Sequence, residues 1–490
     1  MRVPRPLIGA GPGGRVGNKP ATQERLAPLA NLHCESGPVP SPVHIVIAGA
    51  GEVGFFLARA FYQSGHDVAM IEASSAAADR AETLDAKVVR GSAASLAVLN
   101  DAGIEKAGLF LGVTSSDETN MIACALAKQA DCRTIARING RDFMAEPIST
   151  TRYKSLGIDV SVCPDLVAAH RIADFLSSPT MLDTNAFAGG RIQVFEAKPG
   201  PEAPILGKPV QSVQWPDYVN LCAILREPEV VIPHGLDIIR QGDSVVLTIL
   251  RDADMPALGA LLDFPDRLMR AAPINKVIVA GATRIGIHIS RLLEGKADIT
   301  LVDPDERLCR AAGEELSSTL VVHGAYTDRD LLEDEGIAET DAFVGATERD
   351  GANILSCLLA KRLGAKRVLS LLDEADLRPY VGEIGIEHTT SPRYAAVAAI
   401  LQNAHVDPSI DTLHVLSEGE ARVLEVRVTA DAKIEGVPLK RTKLPADTIV
   451  AAVVRGDEAV IPHGDFVIRA GDRLILFART DALGKLKKIL

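Results

Sequence analysis

Aromatic residues, paired cysteines and long apolar runs are all scarce in this chain of 490 residues. Aromatics make up 4% of it, with one tryptophan, so base stacking and carbohydrate platforms are not expected to be its main activity. The seven cysteines include no CxxC pair, which argues against a disulfide framework or a zinc site. No apolar run approaches about 18 residues and no signal-peptide core is visible, so we expect a cytoplasmic chain that neither spans a membrane nor is exported.

An excess of basic residues is also missing. The 52 Lys and Arg residues are outnumbered by 64 Asp and Glu residues, which gives a net charge of -12 and predicts no nucleic-acid partner. Hydrophobic residues at 47% and charged residues at 24% are typical of folded domains. The length alone indicates about three domains.

Short sequences recur along the chain in the same order and at nearly the same spacing. HIVIAGAGEVG at 44–54 returns as KVIVAGATRIG at 276–286, and VIPHG at 231–235 returns at 460–464. Chance does not preserve both order and spacing, so the chain is a tandem duplication of a unit of roughly 230 residues.

Each unit combines two different patterns of apolar residues. In the first part, apolar strands alternate with helical stretches, which predicts a parallel sheet covered on both faces. The second part has short β-branched runs separated by turns, as in a small β-rich module. We therefore predict an α/β protein of two tandem units, each a Rossmann-like, doubly wound parallel-sheet N-lobe followed by a small β-rich C-lobe. The predicted divisions are a disordered extension (1–42), a first N-lobe (43–163), a crossover helix and linker (164–185), a first C-lobe (186–265), a second N-lobe (273–391), a second crossover helix and linker (392–411) and a second C-lobe (412–490).

Two alanine-rich helical stretches separate the lobes, at 164–177 and 392–402. A helix that leaves its own domain to bury an apolar face on a partner has this composition. An ordinary core helix has it too, and the sequence favours neither interpretation.

A glycine-rich loop is the clearest functional motif. Gly49-Ala50-Gly51-Glu52-Val53-Gly54 follows an apolar strand and opens a helix, as in dinucleotide-binding loops. Its glycines would allow a tight turn, the approach of a pyrophosphate and close packing of helix on strand. Glu72, at the end of the next strand, is placed to bind ribose hydroxyls and to repel a 2′-phosphate. The alternative is a ligand-free turn with Glu72 as a solvated strand end.

The second copy of this loop differs from the first. Gly281-Ala282-Thr283-Arg284-Ile285-Gly286 has a β-branched threonine at the place of the second glycine, and Asp303 takes the place of Glu72. Arg284 could favour a phosphate group. The second loop is therefore either an altered binding site or a purely structural turn.

Polar residues after the later strands of the first unit extend the candidate cleft. Thr114 and Ser115 follow the fourth strand, where such sheets bind ligands. Ser115 and Glu118 also have the spacing of a helix-capping box. Arg137 is a charge within the apolar strand TIARI, and it is either a cleft cation facing phosphates or an edge-strand residue facing water.

Signals of catalysis are weak. His234 and His463 occupy equivalent VIPHG turns without a cluster of acidic or cysteine residues, so we predict exposed histidines and no metal site. No Ser/His/Asp set, GxxxxGK[ST] loop or separate substrate domain is recognisable, so we predict that the protein is not an enzyme.

Together these features resemble the TrkA family, the cytosolic regulatory subunits of bacterial Trk potassium uptake systems. The resemblance covers 43–490 and is strongest in GAGEVG at 49–54, VTSSDETNMIACALAK at 113–128, FAGGRIQVFEAKPGPEAPILGKPV at 187–210 and NILSCLLAKRLGAKRV at 353–368. It implies two tandem RCK units that bind NAD(H), and also ATP or ADP, in their N-lobe clefts.

The resemblance also implies a partner and a location. Family members assemble as homo-oligomeric dimers or tetrameric rings beneath an integral membrane potassium transporter subunit of the TrkH type, on the inner face of the plasma membrane, and bias its gate. Carried over by motif, the first cleft consists of Gly49, Ala50, Gly51, Glu52, Val53, Glu72, Thr114, Ser115 and Arg137, and the second of Gly281, Ala282, Thr283, Arg284, Ile285 and Asp303. The rival hypothesis is an NAD-dependent oxidoreductase, which shares the glycine loop and the distal acid.

Overall fold

The computed structural model describes most of the chain from residue 43 to residue 489. The residues not described in this span are 85, 141–142, 144–145, 178–181, 188–190, 227–228, 251–254, 264–273, 375–376, 387, 405–409, 417–420, 480–481, 483–485 and 487–488. The predicted disordered extension, 1–42, lies outside the described residues. In the part that is described, no helix is both long and apolar enough to cross a membrane.

The first N-lobe is a seven-stranded sheet with helices on both faces. The order of its strands is β3-β2-β1-β4-β5-β7-β6, and all of them run parallel except β6. From β1 the chain first builds the sheet outward through β2 and β3, and then returns to the other side of β1 with β4, so the strand order reverses between β1 and β4. Binding clefts of such sheets lie at this reversal, beyond the carboxyl ends of the strands. The strands are β1 (His44–Ala48), β2 (Asp67–Glu72), β3 (Lys87–Arg90), β4 (Ala107–Gly112), β5 (Arg133–Arg137), β6 (Ile148–Ser149) and β7 (Val160–Val162). The helices are α1 (Glu52–Gln63), α2 (Ser75–Ala81), α3 (Leu96–Asp101), α4 (Asp117–Ala127) and α5 (Pro164–Ser177).

The first C-lobe is a five-stranded antiparallel sheet of order β11-β10-β12-β9-β8. Its elements are β8 (Leu182–Phe187), β9 (Ile192–Ala197), β10 (Val219–Arg226), β11 (Glu229–Val231), β12 (Ser244–Leu250) and the helix α6 (Met255–Leu262). Arg226 binds the buried Asp243 through two nitrogens, at 2.9 and 2.6 Å, which fixes the turn before β12.

The second N-lobe repeats the first, in the order β15-β14-β13-β16-β17-β18. Its strands are β13 (Lys276–Ala280), β14 (Asp298–Asp303), β15 (Leu320–His323), β16 (Ala342–Gly345), β17 (Val368–Leu371) and β18 (His388–Thr390). Its helices are α7 (Arg284–Leu293), α8 (Glu306–Glu315), α9 (Arg329–Asp334), α10 (Asp350–Arg362), α11 (Arg378–Glu383) and α12 (Pro392–Ala404). The central strands are almost wholly apolar because both faces of the sheet are covered.

The second C-lobe again forms a five-stranded antiparallel sheet, of order β19-β20-β23-β21-β22. Its strands are β19 (Ile410–Leu416), β20 (Ala421–Arg427), β21 (Thr448–Arg455), β22 (Glu458–Val460) and β23 (Arg473–Arg479). Residues of both C-lobes share one apolar core, and Asn220 donates across it to the Val450 and Ala451 carbonyls. The predicted fold class is confirmed.

The two alanine-rich helices each pack on the opposite unit. Helix α5 of the first unit joins the core of the second N-lobe, and α12 of the second unit joins the core of the first. An aromatic contact accompanies the packing of each helix on the opposite unit. The Phe175 ring stacks on the His388 ring with centroids 4.4 Å apart, and the Phe56 and Tyr394 ring centroids are 5.1 Å apart. Of the two interpretations that the sequence left open, the helix that covers a partner is therefore correct.

Candidate functional site

The first glycine loop connects β1 to α1 at the reversal of strand order. Gly49 has a positive φ of 106°, and a Cβ there would lie 2.9 Å from the Thr114 nitrogen, so only glycine fits. A Cβ on Gly54 would lie 1.8 Å from the Gly49 oxygen. Among the described residues, nothing lies within 4 Å of a Cβ built on Gly51. Two glycines thus close the turn, while the third leaves space above the start of α1.

That space lies over a helix N-terminus that the protein leaves open. Gly51 is the N-cap of α1, and no side chain in the described part of the chain caps it. The first N–H groups of a helix have no partner within the helix, and they carry a partial positive charge. Ala50 and Val53 are buried, so they can present only backbone groups to this space. The arrangement suits an anionic group such as a pyrophosphate.

Glu72 borders the same space at the end of β2. Its carboxylate accepts the Ala50 N–H at 2.6 Å and the Ser74 N–H at 2.8 Å, which ties the strand end to the glycine loop. Glu72 is half-buried and bonded, so it is not simply a solvated strand end. A carboxylate offers about four acceptor positions, which leaves room for ribose hydroxyls.

The turn after β4 is organised by a buried asparagine. Asn120 accepts the Thr114 N–H at 2.9 Å and its hydroxyl at 2.7 Å, and donates to the carbonyls of Thr114 and Arg137. Sequence reasoning missed Asn120, although its equivalent Asn353 makes the same bonds to Thr347 in the second unit. Its place in both TSSDETN and TERDGAN was the available signal.

The predicted capping box at this turn is wrong by one residue. Ser116, rather than Ser115, is the N-cap of α4, and its hydroxyl accepts the Thr119 N–H at 3.1 Å. Glu118 bonds the Ser116 hydroxyl at 2.9 Å. The shift occurs because the Thr114 turn takes up one more residue before the helix begins. Ser115 is therefore exposed at the mouth of the cleft.

Arg137 lies at the carboxyl end of β5, between β4 and β7. It is not on an edge strand, so that alternative is wrong. One guanidinium nitrogen lies 3.4 Å from the Thr114 carbonyl oxygen, and the buried Nε has no hydrogen-bond partner among the described residues. Arg137 is thus a cation with spare donors beside the cleft.

Two further arginines approach the first glycine loop, and neither was predicted. Arg80 of α2 donates to the Ala50 carbonyl at 3.2 Å and lies over the Phe55 ring at 5.4 Å. Arg393, from α12 of the second unit, forms an ion pair with Glu52 at the start of α1. No local motif marks Arg393, because only the exchange of helices brings it to this loop.

The far end of α1 is also held by the second unit. Arg422 of β20 donates to the Ser64 hydroxyl at 2.9 Å and to the Ala60 carbonyl at 3.0 Å. A cation is favourable at the C-terminus of a helix, although burial lowers the pKa of Arg422 to about 10. Helix α1 therefore begins at the candidate cleft and contacts the second unit at both ends.

The second cleft has the same backbone and different side chains. Gly281 and Gly286 repeat the two packing glycines, and Asp303 accepts the Ala282 N–H at 2.8 Å. Thr283 caps α7, since its hydroxyl accepts the Gly286 N–H at 3.2 Å and donates to the Ala346 carbonyl at 2.7 Å. The threonine occupies the place that Gly51 leaves open.

The remaining residues of the second cleft are buried or contact the first unit. Ile285 and Asp303 are buried, and Arg284 reaches the first unit, with a nitrogen 3.5 Å from the Asn139 oxygen. Leu371 takes the place of Arg137, because its carbonyl likewise accepts from the asparagine of the preceding helix. Within the described residues, the second cleft thus has no counterpart of the Arg137 cation, and the start of its helix is capped.

The predicted turn histidines lie away from both clefts. His234 and His463 are exposed, and His234 Nδ1 is 3.7 Å from Asp237. Among the described residues, no group of three or more His, Cys, Asp or Glu is arranged to hold a metal ion.

Two solved structures share the fold of this chain. The chain matches the structure titled "GsuK channel bound to NAD" with a TM-score of 0.54 and 17% identity, over 92% of this chain and 80% of that one. The structure titled "Crystal Structure of the GsuK RCK domain" matches with a TM-score of 0.52 and 17% identity, over 92% and 96% of the two chains. These matches establish similarity of fold.

Sequence comparison gives the family. The TrkA-N domain model matches residues 45–164 and 277–392, and the TrkA-C domain model matches 423–490. The Trk system potassium uptake protein TrkA homolog 1 of Methanosarcina mazei is 33% identical over 453 residues, which cover 90% of this chain and 99% of that relative. The TrkA protein of Azorhizobium caulinodans is 30% identical over 455 residues, covering 91% and 98%. As the motifs predicted, the chain belongs to the TrkA family.

Proposed function

We propose that this chain is a nucleotide-responsive regulatory subunit of a potassium transport system, with NAD(H) bound in the first cleft. The relatives named above are potassium uptake proteins of the Trk system, which supports this role. One observation carries the nucleotide assignment: α1 begins uncapped beneath the open space at Gly51, between Glu72 and Arg137. In this assignment the N–H groups bind the pyrophosphate, Glu72 binds ribose hydroxyls and Arg137 faces phosphate charge.

The same helix offers a route from ligand to partner. Because Arg393 and Arg422 of the second unit hold both ends of α1, a ligand that shifts this helix changes how the two units sit together. Regulation requires that the ligand bind one arrangement better than another, since equal affinity shifts no equilibrium. A ring built from such units would pass this change to an integral membrane subunit of the TrkH type.

Assembly as a homo-oligomer has support from the surface. Ile122 and Leu355 occupy equivalent places on α4 and α10, and they are 49% and 58% exposed. Leu156 and Ile384 form a second equivalent exposed pair, each one residue before a glycine of positive φ. Apolar positions exposed in both halves suit a contact that repeats around a dimer or a tetrameric ring. We place the assembly in the cytoplasm, attached to the inner face of the plasma membrane through its protein partner.

The test is an NADH titration of the purified full chain, followed by fluorescence, with absorbance at the same time to detect oxidation. We expect saturable binding of one molecule per chain without turnover. Absence of NADH binding would overturn the assignment of this ligand, and ATP and ADP are the next to be titrated. Steady consumption of NADH would instead establish the oxidoreductase alternative. Co-purification with a potassium-conducting membrane protein tests the partner.

A further inference from the structure

Equivalent positions in the two units carry opposite charges where the units meet. Glu52 and Arg284 both follow the glycine loop as the first residue of a helix. Asp165 and Arg393 both follow the first proline of an exchanged helix. At these positions the first unit is acidic twice and the second unit is basic twice.

Each of the four side chains faces the opposite unit. Arg393 forms an ion pair with Glu52 across one contact. Across the other, Arg284 reaches the Asn139 oxygen at 3.5 Å, and the Asn139 side-chain nitrogen donates to Asp165 at 3.0 Å. Arg284 also acts on the Asp165 carboxyl electrostatically. Arg393 thus pairs directly with an acidic residue of the other unit, whereas Arg284 approaches one through Asn139.

We propose that these four charges make a first unit pair with a second unit and not with another copy of itself. The apolar parts of the contact do not discriminate, since α5 and α12 both bury alanine-rich faces on an N-lobe. Two first units would bring Glu52 against Asp165 twice, and two second units would bring Arg284 against Arg393 twice. Like charges placed against each other at an interface are destabilising. Asp373, 3.4 Å from Arg393, offsets part of the second repulsion, and Arg137, whose charge acts on Asp165, offsets part of the first.

The burial of Asp165 is consistent with selection for specificity. Burial raises the pKa of Asp165, with a further contribution from the charge of Asp373, and the bond from Asn139 and the charges of Arg284 and Arg137 offset only part of that effect. An interface under selection for stability alone gains by replacing such a group with an apolar residue. A charge kept at this cost discriminates between partners.

The experiment compares four full-length chains without nucleotide at neutral pH. They are the wild type, the first-unit reversal Glu52→Arg/Asp165→Arg, the second-unit reversal Arg284→Glu/Arg393→Glu, and the chain with all four changes. We expect each half reversal to lower Tm by at least about 3 °C, and the fourfold change to restore most of the loss. If the chain with all four changes loses as much Tm as the two half reversals together, the proposal is overturned.

A mixing experiment tests specificity itself. The first-unit reversal is basic in both units and the second-unit reversal is acidic in both, so these two chains complement each other. When one is tagged and both are co-expressed, we expect capture at least about threefold above that between tagged and untagged wild-type chains. Capture no higher than the wild-type level would overturn the proposal. The matched control swaps Arg329 and Glu333, an exposed pair within one helix, and should change neither Tm nor capture.

Discussion

The first and second glycine loops share one backbone but treat the start of the following helix in opposite ways. In the second loop, the Thr283 hydroxyl caps α7. In the first loop, Gly51 leaves α1 without a side-chain cap in the described structure. A glycine at the N-cap costs only a few tenths of a kcal/mol relative to threonine, so the first unit forgoes a small stabilisation that the second retains. Helix N–H groups left open in this way are available to a ligand, which is why we assign the ligand to the first cleft.

The polar residues around the first loop are also more accessible or more charged than their counterparts around the second loop. Glu72 is half-buried, whereas Asp303 is only 6% exposed although it makes the equivalent bond. Arg137 has a buried nitrogen without a partner in the described residues, whereas Leu371 at the equivalent place has no charge. The first cleft thus presents accessible polar groups, whereas the acid of the second is buried.

The largest effect is expected from making the first loop like the second. Gly51→Thr introduces a side chain where the described structure leaves space, at a φ of −61° that threonine adopts without strain. The hydroxyl should cap α1 and fill the pyrophosphate position, so NADH affinity should fall at least about 100-fold. Isothermal titration measures the affinity, and a thermal melt provides the control, because Tm should hold or rise. Unaltered NADH binding would place the ligand elsewhere.

Removal of the distal acid should have the next largest effect. Glu72→Ala removes a charged acceptor for ribose hydroxyls, worth about 1.5–3 kcal/mol, so NADH affinity should fall roughly tenfold to 100-fold while the fold is kept. The matched control is Asp303→Ala in the second cleft. Because Asp303 is buried, this change should lower Tm more and affinity less. Equal losses of affinity in both variants would mean that the acids act through the fold alone.

A smaller effect is expected when the second loop is made like the first. Thr283→Gly opens the start of α7 but leaves Asp303 buried and adds no cation. We expect a second NADH site per chain, at least about tenfold weaker than the first, because Leu371 replaces the Arg137 cation there and Asp303, the counterpart of Glu72, is buried. Binding stoichiometry from fluorescence titration measures it. A second site as tight as the first would show that Thr283 alone blocks the second cleft.

Local patterns were sufficient to predict the units and the loops. Both glycine loops, their strands and the acids Glu72 and Asp303 lie in continuous segments, so spacing alone indicates their geometry. The Thr283 substitution was also visible in the sequence. Its consequence was not, because the hydroxyl bonds Ala346, which lies 63 residues further along the chain.

Contacts between distant segments could not be predicted in this way. Arg393 reaches Glu52 across 341 residues because α12 of the second unit packs on the first N-lobe, and Arg422 reaches Ser64 across 358 because β20 lies against the end of α1. An alanine-rich helix packs equally well on its own lobe or on another, so its composition does not identify the partner. The capping error at Ser115 arose similarly, since Asn120 determines the turn from within the next helix.

The pH dependence of stability should distinguish the two contacts between the units. Asp165 titrates, whereas its counterpart Arg393 stays charged. Burial raises the pKa of Asp165 above its unfolded value of about 3.9, so its contribution to stability is full below that pH and is lost as pH rises through the folded value. Asp165→Asn keeps the bond to Asn139 and removes the titration. The difference in Tm between this variant and the wild type should therefore change by a few °C in favour of the variant as pH rises from about 4 to 7.

Asp174 provides the matched control, because burial also raises the pKa of this residue, which lies on α5 but makes no contact with Asn139 or Arg284 in the described structure. Asp174→Asn should also raise Tm relative to the wild type as pH rises over the same range, but it should not alter capture in the mixing experiment. If instead the wild type gained on Asp165→Asn as pH rose, attraction to Arg284 would outweigh burial. Asp165 would then stabilise the contact directly, as Glu52 does with Arg393, and the two contacts would be equivalent in energy as well as in position.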